Sequence, residues 1–249
     1  MKERRHTPRG RVALGRALSK LGIASRARAI EAILAGRVTV DGGVVRDPSI
    51  LVVPERAVIE LDGRRRDRPS RRTIAFHKPR GVMTTRRDPE RRPTVFDLLG
   101  DAADGLVAVG RLDLATSGLL LLTSDTQLAN WLTDPRHAVP RVYVVTVRGR
   151  VTDTDVAAIG AGVTDRGDRL KPARVVLQKA SGRESHLLVE LTEGKNREIR
   201  RLFEAIGREV TRLKRVQFGD VELGALPPGK WCDIDDAKLR RRMAQGKDR

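Results

Sequence analysis

The strongest candidate for chemistry in the sequence is a loop that holds one carboxylate between two glycines. This loop, GRLDLATSG at residues 110–118, carries Asp113 and lies between an apolar segment and four consecutive leucines. Loops on rigid scaffolds often carry catalytic side chains, and a carboxylate there could act as a nucleophile or as a general base. Asp113 could instead cap the amides of a tight turn. The loop by itself leaves both interpretations open.

The one tyrosine of the chain is a second candidate. Tyr143 shares one face of a predicted strand with Val145 and Val147, and this pattern on its own favours a core residue whose hydroxyl lies at the rim. The functional alternative is an aromatic platform on which a nucleobase stacks.

A basic cluster stands at the start of a helix predicted over residues 197–206. Helical spacing places Arg200 beside the apolar stripe and predicts that Arg201 faces away from it. A guanidinium at the edge of a core needs an anionic partner, because its unpaired burial costs several kcal/mol. Asp113 is a plausible partner for Arg200. The cluster is either a solvated face or a phosphate-binding site, and its members are Lys195, Arg197, Arg200 and Arg201.

The overall charge indicates a polyanionic partner, with nucleic acid as the leading class. Lys and Arg total 50 against 32 Asp and Glu, which gives a formal net charge of +18. Residues 1–72 are the more basic part, with 18 basic and 8 acidic residues. Around a helix predicted over residues 26–35, a phosphate-binding face is expected from Lys20, Arg26, Arg28 and Arg37.

Several classes of protein are excluded by composition. The only cysteine, Cys232, cannot form an intrachain disulfide and suits a reducing compartment, so a cytoplasmic protein is expected. Four scattered histidines supply no set of metal ligands, and we expect no metal site. The longest aliphatic run, residues 119–122, is far shorter than the roughly 20 residues of a membrane span. We therefore expect no membrane partner.

The predicted elements indicate an α+β protein of two domains. Residues 1–10 are predicted to be a disordered tail, 11–62 a small domain, 63–72 a basic linker, 73–237 a larger domain and 238–249 a basic C-terminal tail. Besides residues 26–35, helices are predicted at 13–20 and at 197–206, the latter with Asn196 as N-cap. Another is predicted after a capping box of Ser124 and Gln127, with Leu128, Trp131 and Leu132 on one face. In the larger domain, strands are predicted at 73–76, 106–109, 119–122, 142–147, 175–177, 187–191, 211–218 and 230–234. These strands do not alternate regularly with helices, which argues against a doubly wound parallel sheet.

Four segments together resemble successive motifs of one enzyme family. They are GRLDLATSGLLLLTSD (110–125), RVYVVTV (141–147), EGKNREIRRLFEAIG (193–207) and VTRLKRVQFGDVELGALPPG (210–229). In this order they resemble the ribosomal small-subunit and large-subunit pseudouridine synthases of the RsuA/RluB type, and HKPRGVMTT (77–85) resembles the opening of their catalytic domain. Residues 18–42 resemble an S4 RNA-binding domain. The resemblance implies a small S4-like α+β domain followed by a larger mixed, mostly antiparallel sheet domain.

The resemblance also implies an activity and a set of site residues. Asp113 would be the catalytic aspartate, Tyr143 would stack on the target base and Arg200 would pair with Asp113, with Leu213 and Arg111 lining the pocket. Contacts to RNA would come from Lys20, Arg26, Arg28, Arg37, Lys195, Arg197 and Arg201. Glu198 is a departure, since many relatives have Gln there. The expected protein is a monomer that isomerises a uridine of ribosomal RNA, with 23S RNA the favoured target, free or in an assembling particle.

Converting uridine to pseudouridine breaks the N1–C1′ bond and forms a C5–C1′ bond without redox change, so no cofactor is expected. Whether Asp113 attacks C1′ or removes the C2′ proton stays open at this point. One alternative is a non-catalytic RNA-binding factor of ribosome assembly. Another is a hydrolase that uses Asp113, but the sequence places no second carboxylate or histidine near it.

Overall fold

The computed structural model describes residues 11–21, 23–24, 26–54, 56–65 and 71–245, without the side chains of Lys20 and Arg65. The predicted disordered tail at residues 1–10 lies outside the described residues. The chain forms two compact units, one of Met1–Arg72 with Ser124–Thr126 and the other of Thr73–Thr123 with Gln127–Arg249. In the part of the chain that the structure describes, no helix is long and apolar enough to cross a membrane.

The smaller unit packs two helices against short strands. Its core contains the buried side chains of Leu14, Leu18, Ile33 and Val38. Gly36 follows the second helix with a φ of +72°, the left-handed conformation that ends many helices. The elements are β1 (Val12–Ala13), α1 (Leu14–Lys20), α2 (Arg26–Leu34), β2 (Val38–Val40), β3 (Gly43–Val45), β4 (Leu51–Val52), β5 (Ile59–Leu61) and β6 (Arg64–Arg65).

The four strands β3, β2, β5 and β6 form one antiparallel sheet in that order, and β1 pairs with β4. The predicted linker at residues 63–72 is therefore wrong at its start. Arg64–Arg65 pairs with β5 because the turn at Asp62 and Gly63, both with positive φ, reverses the chain and extends the sheet by one strand.

The larger unit is built on a mixed sheet of nine strands in its described residues. Seven of them lie in the order β13-β14-β10-β15-β9-β7-β17, with β16 on β15 and β8 on β9, and every pairing except β9 with β15 is antiparallel. A separate hairpin pairs β11 with β12. The strands are β7 (Thr73–Lys78), β8 (Val107–Ala108), β9 (Thr116–Thr123), β10 (Arg141–Arg148), β11 (Val163–Asp165), β12 (Asp168–Leu170), β13 (Arg174–Ala180), β14 (Glu184–Leu191), β15 (Val210–Phe218), β16 (Val221–Glu222) and β17 (Trp231–Asp233).

Helices cover both faces of this sheet, and the leucines of β9 show why. Leu120 and Leu122 enter one apolar core, whereas Leu119 and Leu121 enter the other, and all four side chains are fully buried. Successive side chains of a strand point to opposite faces, so a continuous leucine run marks a strand that is buried on both sides. The helices are α3 (Val95–Leu99), α4 (Thr126–Thr133), α5 (Asp153–Ala161), α6 (Glu198–Glu204) and α7 (Ala237–Gln245).

Four of these helices differ from the sequence predictions. The helix α6 begins one residue later than predicted, and its N-cap is Arg197 with a φ of +49° rather than Asn196. Both α3 and α5 were missed, although each begins with a capping box, Thr94 with Asp97 and Thr152 with Asp155. The predicted C-terminal tail is largely the helix α7, whose residue Leu239 is buried in the second core.

Candidate active site

A cavity of about 300 Å³ opens in the larger unit where β9, β10 and β15 meet the loop before β9 and the segment before α6. Its volume is at the lower end of the range typical of small-molecule sites. The polar residues in its wall include Arg111, Asp113, Thr116, Arg141, Tyr143, Lys195, Arg197, Glu198 and Arg215. The structure therefore brings together Asp113, Tyr143, Leu213 and Arg111, four of the residues proposed for the pocket.

Backbone hydrogen bonds hold the loop that carries Asp113. The Thr116 amide donates to the Asp113 carbonyl at 3.0 Å, and the Gly81 amide donates to the Leu114 carbonyl at 2.8 Å. The Asp113 side chain is exposed, and its carboxylate makes no hydrogen bond or ion pair with any residue that the structure describes. Asp113 therefore does not cap the amides of its own turn, which was the alternative to a chemical role.

Lys78 lies beneath this loop, and the sequence analysis did not single it out. The side chain is fully buried, and its Nζ donates to the carbonyls of Pro79, Asp113 and Thr116 at 3.1, 3.1 and 2.9 Å. Burial lowers the pKa of Lys78 to about 8, opposed by the attraction of the Asp113 carboxylate. The only signal in the sequence was a lysine at the end of the apolar strand TIAFHK. Lys78 therefore connects the loop, at Asp113 and Thr116, to the end of β7.

Tyr143 lies between the apolar core and the cavity. Its side chain is buried among the apolar residues of one core, and it also lines the cavity. In the ladder between β10 and β15 it lies opposite Arg215, with Val145 opposite Leu213. Leu213 is buried and lines the cavity, whereas Arg111 is exposed at its wall.

Arg200 lies close to Asp113 without forming the expected ion pair. Its Nη1 donates to the Val210 carbonyl at 2.9 Å, and its Nε is buried without a partner among the described residues. Burial lowers the pKa of Arg200, as do the charges of Arg197 and Arg80, while the Asp113 carboxylate opposes them. Attraction to Asp113 is thus present, but in the described residues the two side chains make no direct contact.

Glu198 is the second carboxyl group of the cavity wall, and it is almost completely buried. Its Oε2 accepts a hydrogen bond from the Lys195 amide at 3.2 Å, and its Oε1 has no partner among the described residues. Burial, together with the nearby charge of Glu193, raises the pKa of Glu198 to about 7. The cavity therefore contains an exposed carboxylate and a buried carboxyl group in unlike environments.

Comparison with known proteins identifies the family to which the chain belongs. Residues 72–205 match the RNA pseudouridylate synthase family, and residues 16–58 match the S4 domain. The chain belongs to the RNA pseudouridylate synthase family. It is 42% identical over 230 residues to ribosomal large subunit pseudouridine synthase B of Yersinia pestis, covering 89% of this chain and 72% of that protein.

Two further similarities extend over most of the chain. An uncharacterized RNA pseudouridine synthase of Aquifex aeolicus is 36% identical over 229 residues, 92% of both chains. A crystal structure of a pseudouridylate synthase is similar with a TM-score of 0.64 and 26% identity, over 93% of this chain and 99% of the other. The family, the enzyme class and the α+β fold with a mostly antiparallel sheet are confirmed. The comparisons give no support to a non-catalytic factor or a hydrolase.

Arg201 of the synthase, which the helical spacing predicts to face away from the apolar stripe, is buried rather than exposed for a contact with RNA. Only 7% of the residue is exposed, and its guanidinium forms ion pairs with Asp165 at 2.5 Å and Asp168 at 2.9 Å. These two carboxylates belong to the hairpin of β11 and β12, which the sequence analysis did not predict. The hairpin covers the polar side of α6, so Arg201 is a structural ion-pair partner.

The other predicted RNA contacts differ in their exposure and in the partners shown for them. Lys195 donates to Glu193 at 2.6 Å and to the Arg169 carbonyl at 2.7 Å, whereas Arg197 is exposed, and both line the cavity. In the smaller unit, Arg26 and Arg28 are exposed on α2, and the side chain of Lys20 lies outside the described residues. Arg37 is exposed but makes a two-pronged ion pair with Asp62, at 2.7 and 2.6 Å.

Proposed function

We propose that this synthase converts a uridine of large-subunit ribosomal RNA, 23S RNA, to pseudouridine, with Asp113 as the catalytic carboxylate. The observation that carries the proposal is the Asp113 carboxylate, which lies without a partner among the described residues in the wall of a cavity that Tyr143 also lines. The choice of 23S RNA is supported by relatives named ribosomal large subunit pseudouridine synthase B, at about 41% identity. We also propose that it acts as a monomer in the cytoplasm, on free RNA or on an assembling particle.

The chemistry requires an ionised carboxylate beside the ribose of the target. In one route Asp113 attacks C1′ while the N1–C1′ bond breaks, and the Asp113–C1′ bond breaks in turn when C5 bonds to C1′. In the other route Asp113 takes the C2′ proton as the N1–C1′ bond breaks to give a glycal, and it returns that proton to C2′ when C5 bonds to C1′. In both routes uracil rotates, C5 bonds to C1′, the C5 proton leaves and N1 gains a proton. The positive charge of Arg200 attracts the carboxylate and helps to hold it in place.

The target uridine must leave its stack to reach Asp113, at a cost of a few kcal/mol. Stacking of the uracil on Tyr143 offsets roughly 1–3 kcal/mol of this cost, the range for one base on an aromatic side chain. Contacts with RNA phosphates supply the remaining binding free energy. They come from Arg111 and Arg197 at the cavity and from Arg26 and Arg28 of the S4 unit. Lys20 belongs to the same group by its position at the end of α1.

Asp113→Asn tests the catalytic assignment. The amide has almost the same size but neither attacks C1′ nor takes a proton, so isomerisation should be abolished while binding of RNA is retained. Tritium release from RNA that carries 5-tritiated uridine measures isomerisation, and filter binding measures the affinity for RNA. Asp104→Asn, an exposed carboxylate of the same unit, is the matched control and should keep full activity. Substantial turnover by Asp113→Asn would overturn the assignment.

The target is tested separately in cells. Pseudouridine mapping of ribosomal RNA from strains with and without the gene should show one site lost from 23S RNA. Loss of a site from 16S RNA instead would contradict the proposed target but leave the assignment of Asp113 intact.

A further inference from the structure

Two buried arginines stand in the wall of the cavity and have no part in the mechanism above. Arg141 begins β10 and Arg215 lies on β15, and they are 5% and 2% exposed. Arg141 Nη2 donates to the Leu132 carbonyl at 3.0 Å, and Arg215 Nε donates to the Leu119 carbonyl at 2.7 Å. Both guanidinium groups lie over the ring of Phe218, 5.0 and 4.9 Å from its centre. The fold therefore fixes both side chains.

Each of these arginines has one buried nitrogen that is left without a hydrogen bond. Nη1 of Arg141 and Nη2 of Arg215 have no partner, and neither side chain forms an ion pair with a described residue. The two groups repel each other, since the charge of Arg215 adds to burial in lowering the pKa of Arg141. Buried guanidinium groups without an anion are costly, and two that repel each other are more so.

Glu198 attracts Arg141 but is a poor counter-ion for it. Burial raises the pKa of Glu198 to about 7, which leaves a large part of it uncharged at neutral pH. It makes no hydrogen bond to either arginine in the described residues, and its own Oε1 is unpartnered. An anion with at least two oxygen acceptors would satisfy both arginines and offset their repulsion.

We propose that Arg141 and Arg215 together bind a phosphate group of the target nucleotide. The proposal rests on the proposed function, because it takes RNA as the substrate. A phosphodiester carries a permanent negative charge, as the two arginines carry permanent positive ones, and its oxygens suit guanidinium donors in pairs. Uracil is neutral until its glycosidic bond breaks, so it does not balance the two charges in the bound state.

The positions of the two arginines suit the nucleotide that is flipped into the cavity. Tyr143 lies directly opposite Arg215 in the ladder between β10 and β15, and it follows Arg141 by two residues on β10. A phosphate between the arginines is therefore adjacent to a base stacked on Tyr143. The pair would select the nucleotide by its backbone, while Arg111 and Arg197 act at the exposed wall.

The experiment compares uridine with uridine 5′-monophosphate and uridine 3′-monophosphate as ligands of the full chain. In calorimetry, one monophosphate should bind at least about tenfold more tightly than uridine, the scale of one charge-assisted hydrogen bond. The 5′ and 3′ arms tell which phosphate of the nucleotide is held. Arg141→Gln and Arg215→Gln should each lose this preference while their affinity for uridine changes little.

Two further variants keep the test decisive. Arg212→Gln removes an exposed arginine of the same strand and should retain the preference. Arg215→Lys keeps the charge without the forked donors and should retain part of it, even where the Gln variant fails to fold. Failure of both monophosphates to bind the wild type more tightly than uridine overturns the proposal. It is also overturned if the Gln variants retain the preference and lose only turnover, because the pair then acts on the departing uracil.

These binding measurements need no turnover, so they are separate from the test of Asp113. If wild-type protein distinguishes the monophosphates from uridine but leaves every uridine of ribosomal RNA unchanged, the proposed function fails and the phosphate site remains. The reverse pattern, activity without the preference, removes only the phosphate site.

Discussion

The buried carboxyl group of Glu198 makes the stability of the larger unit depend on pH. Its pKa is raised from 4.5 to about 7 in the folded chain, mainly by burial. Below pH 4.5 the group is protonated in both states. As the pH rises towards 7, the unfolded chain gives up the proton first, so folding loses stability until the folded state has also ionised. At about 1.4 kcal/mol for each pH unit, the loss is on the order of 3 kcal/mol.

Glu198→Gln removes this dependence with little change in shape. The amide oxygen can still accept the hydrogen bond from the Lys195 amide, which is 3.2 Å long in the structure, and there is no charge to bury. We expect the variant and the wild type to have nearly equal free energies of unfolding at pH 4.5. At pH 8 the variant should be more stable by up to about 3 kcal/mol.

The assay is urea unfolding followed by tryptophan fluorescence between pH 4.5 and 8. Both tryptophans of the chain, Trp131 and Trp231, lie in the larger unit, so the signal reports the unit that contains Glu198. The control is Glu204→Gln, which removes an exposed carboxylate from the last residue of α6. If the stability curves of Glu198→Gln and wild type run parallel across this range, the reasoning from burial is refuted.

Three further predictions concern stacking, the sheet and the S4 unit. Tyr143→Phe should bind target RNA more tightly than Tyr143→Leu, by about 1–3 kcal/mol in filter binding, and equal affinities would return Tyr143 to a purely structural role. Gly118→Ala should lower the free energy of unfolding by at least about 2 kcal/mol, because a Cβ would lie 2.2 Å from the Arg215 carbonyl oxygen at a φ of +108°. The control Gly182→Ala, whose added Cβ would have no atom within 4 Å, should not lower the free energy of unfolding in this way. A chain that begins at Arg72 should fold and bind ribosomal RNA more weakly, with a salt dependence shallower by about 0.7–0.9 per lost phosphate contact; an unchanged slope would show that the first unit contacts no phosphates.

The elements predicted best from the sequence are those whose apolar pattern directly indicates which faces are buried. The leucine run of β9 and the apolar spacing of α6 each require burial on particular faces, and both elements formed at those places. Short helices were missed because few of their residues are buried, two in α3 and one in α5, which is too few to show a helical period. Of the nine residues of α5, only Ile159 is fully buried, so its start was visible only in the capping pair Thr152 and Asp155.

Arg201 shows where a helical wheel stops being informative. The spacing of α6 correctly separates its apolar side from its polar side, but it does not say what lies against the polar side. A hairpin 33 residues earlier in the chain places Asp168 there, and an arginine expected in solvent is buried in an ion pair. The position of a residue on a helical wheel shows only whether it faces the core beneath the apolar stripe. The exposure of its side chain depends on every element packed around the helix.

Buried polar groups are the part of the site that pattern analysis reaches least, because their partners come from distant segments. Arg215 is held by a carbonyl 96 residues away in sequence, and Lys78 by carbonyls up to 38 residues away. Among the described residues, six buried side-chain polar atoms lack a partner, and four of them belong to residues in the cavity wall, Thr116, Arg141, Glu198 and Arg215. A folded protein normally provides hydrogen-bond partners for buried polar groups, because each buried group without a partner costs stability. Their concentration around one cavity, beside the uncapped carboxylate of Asp113, indicates that the substrate completes these contacts.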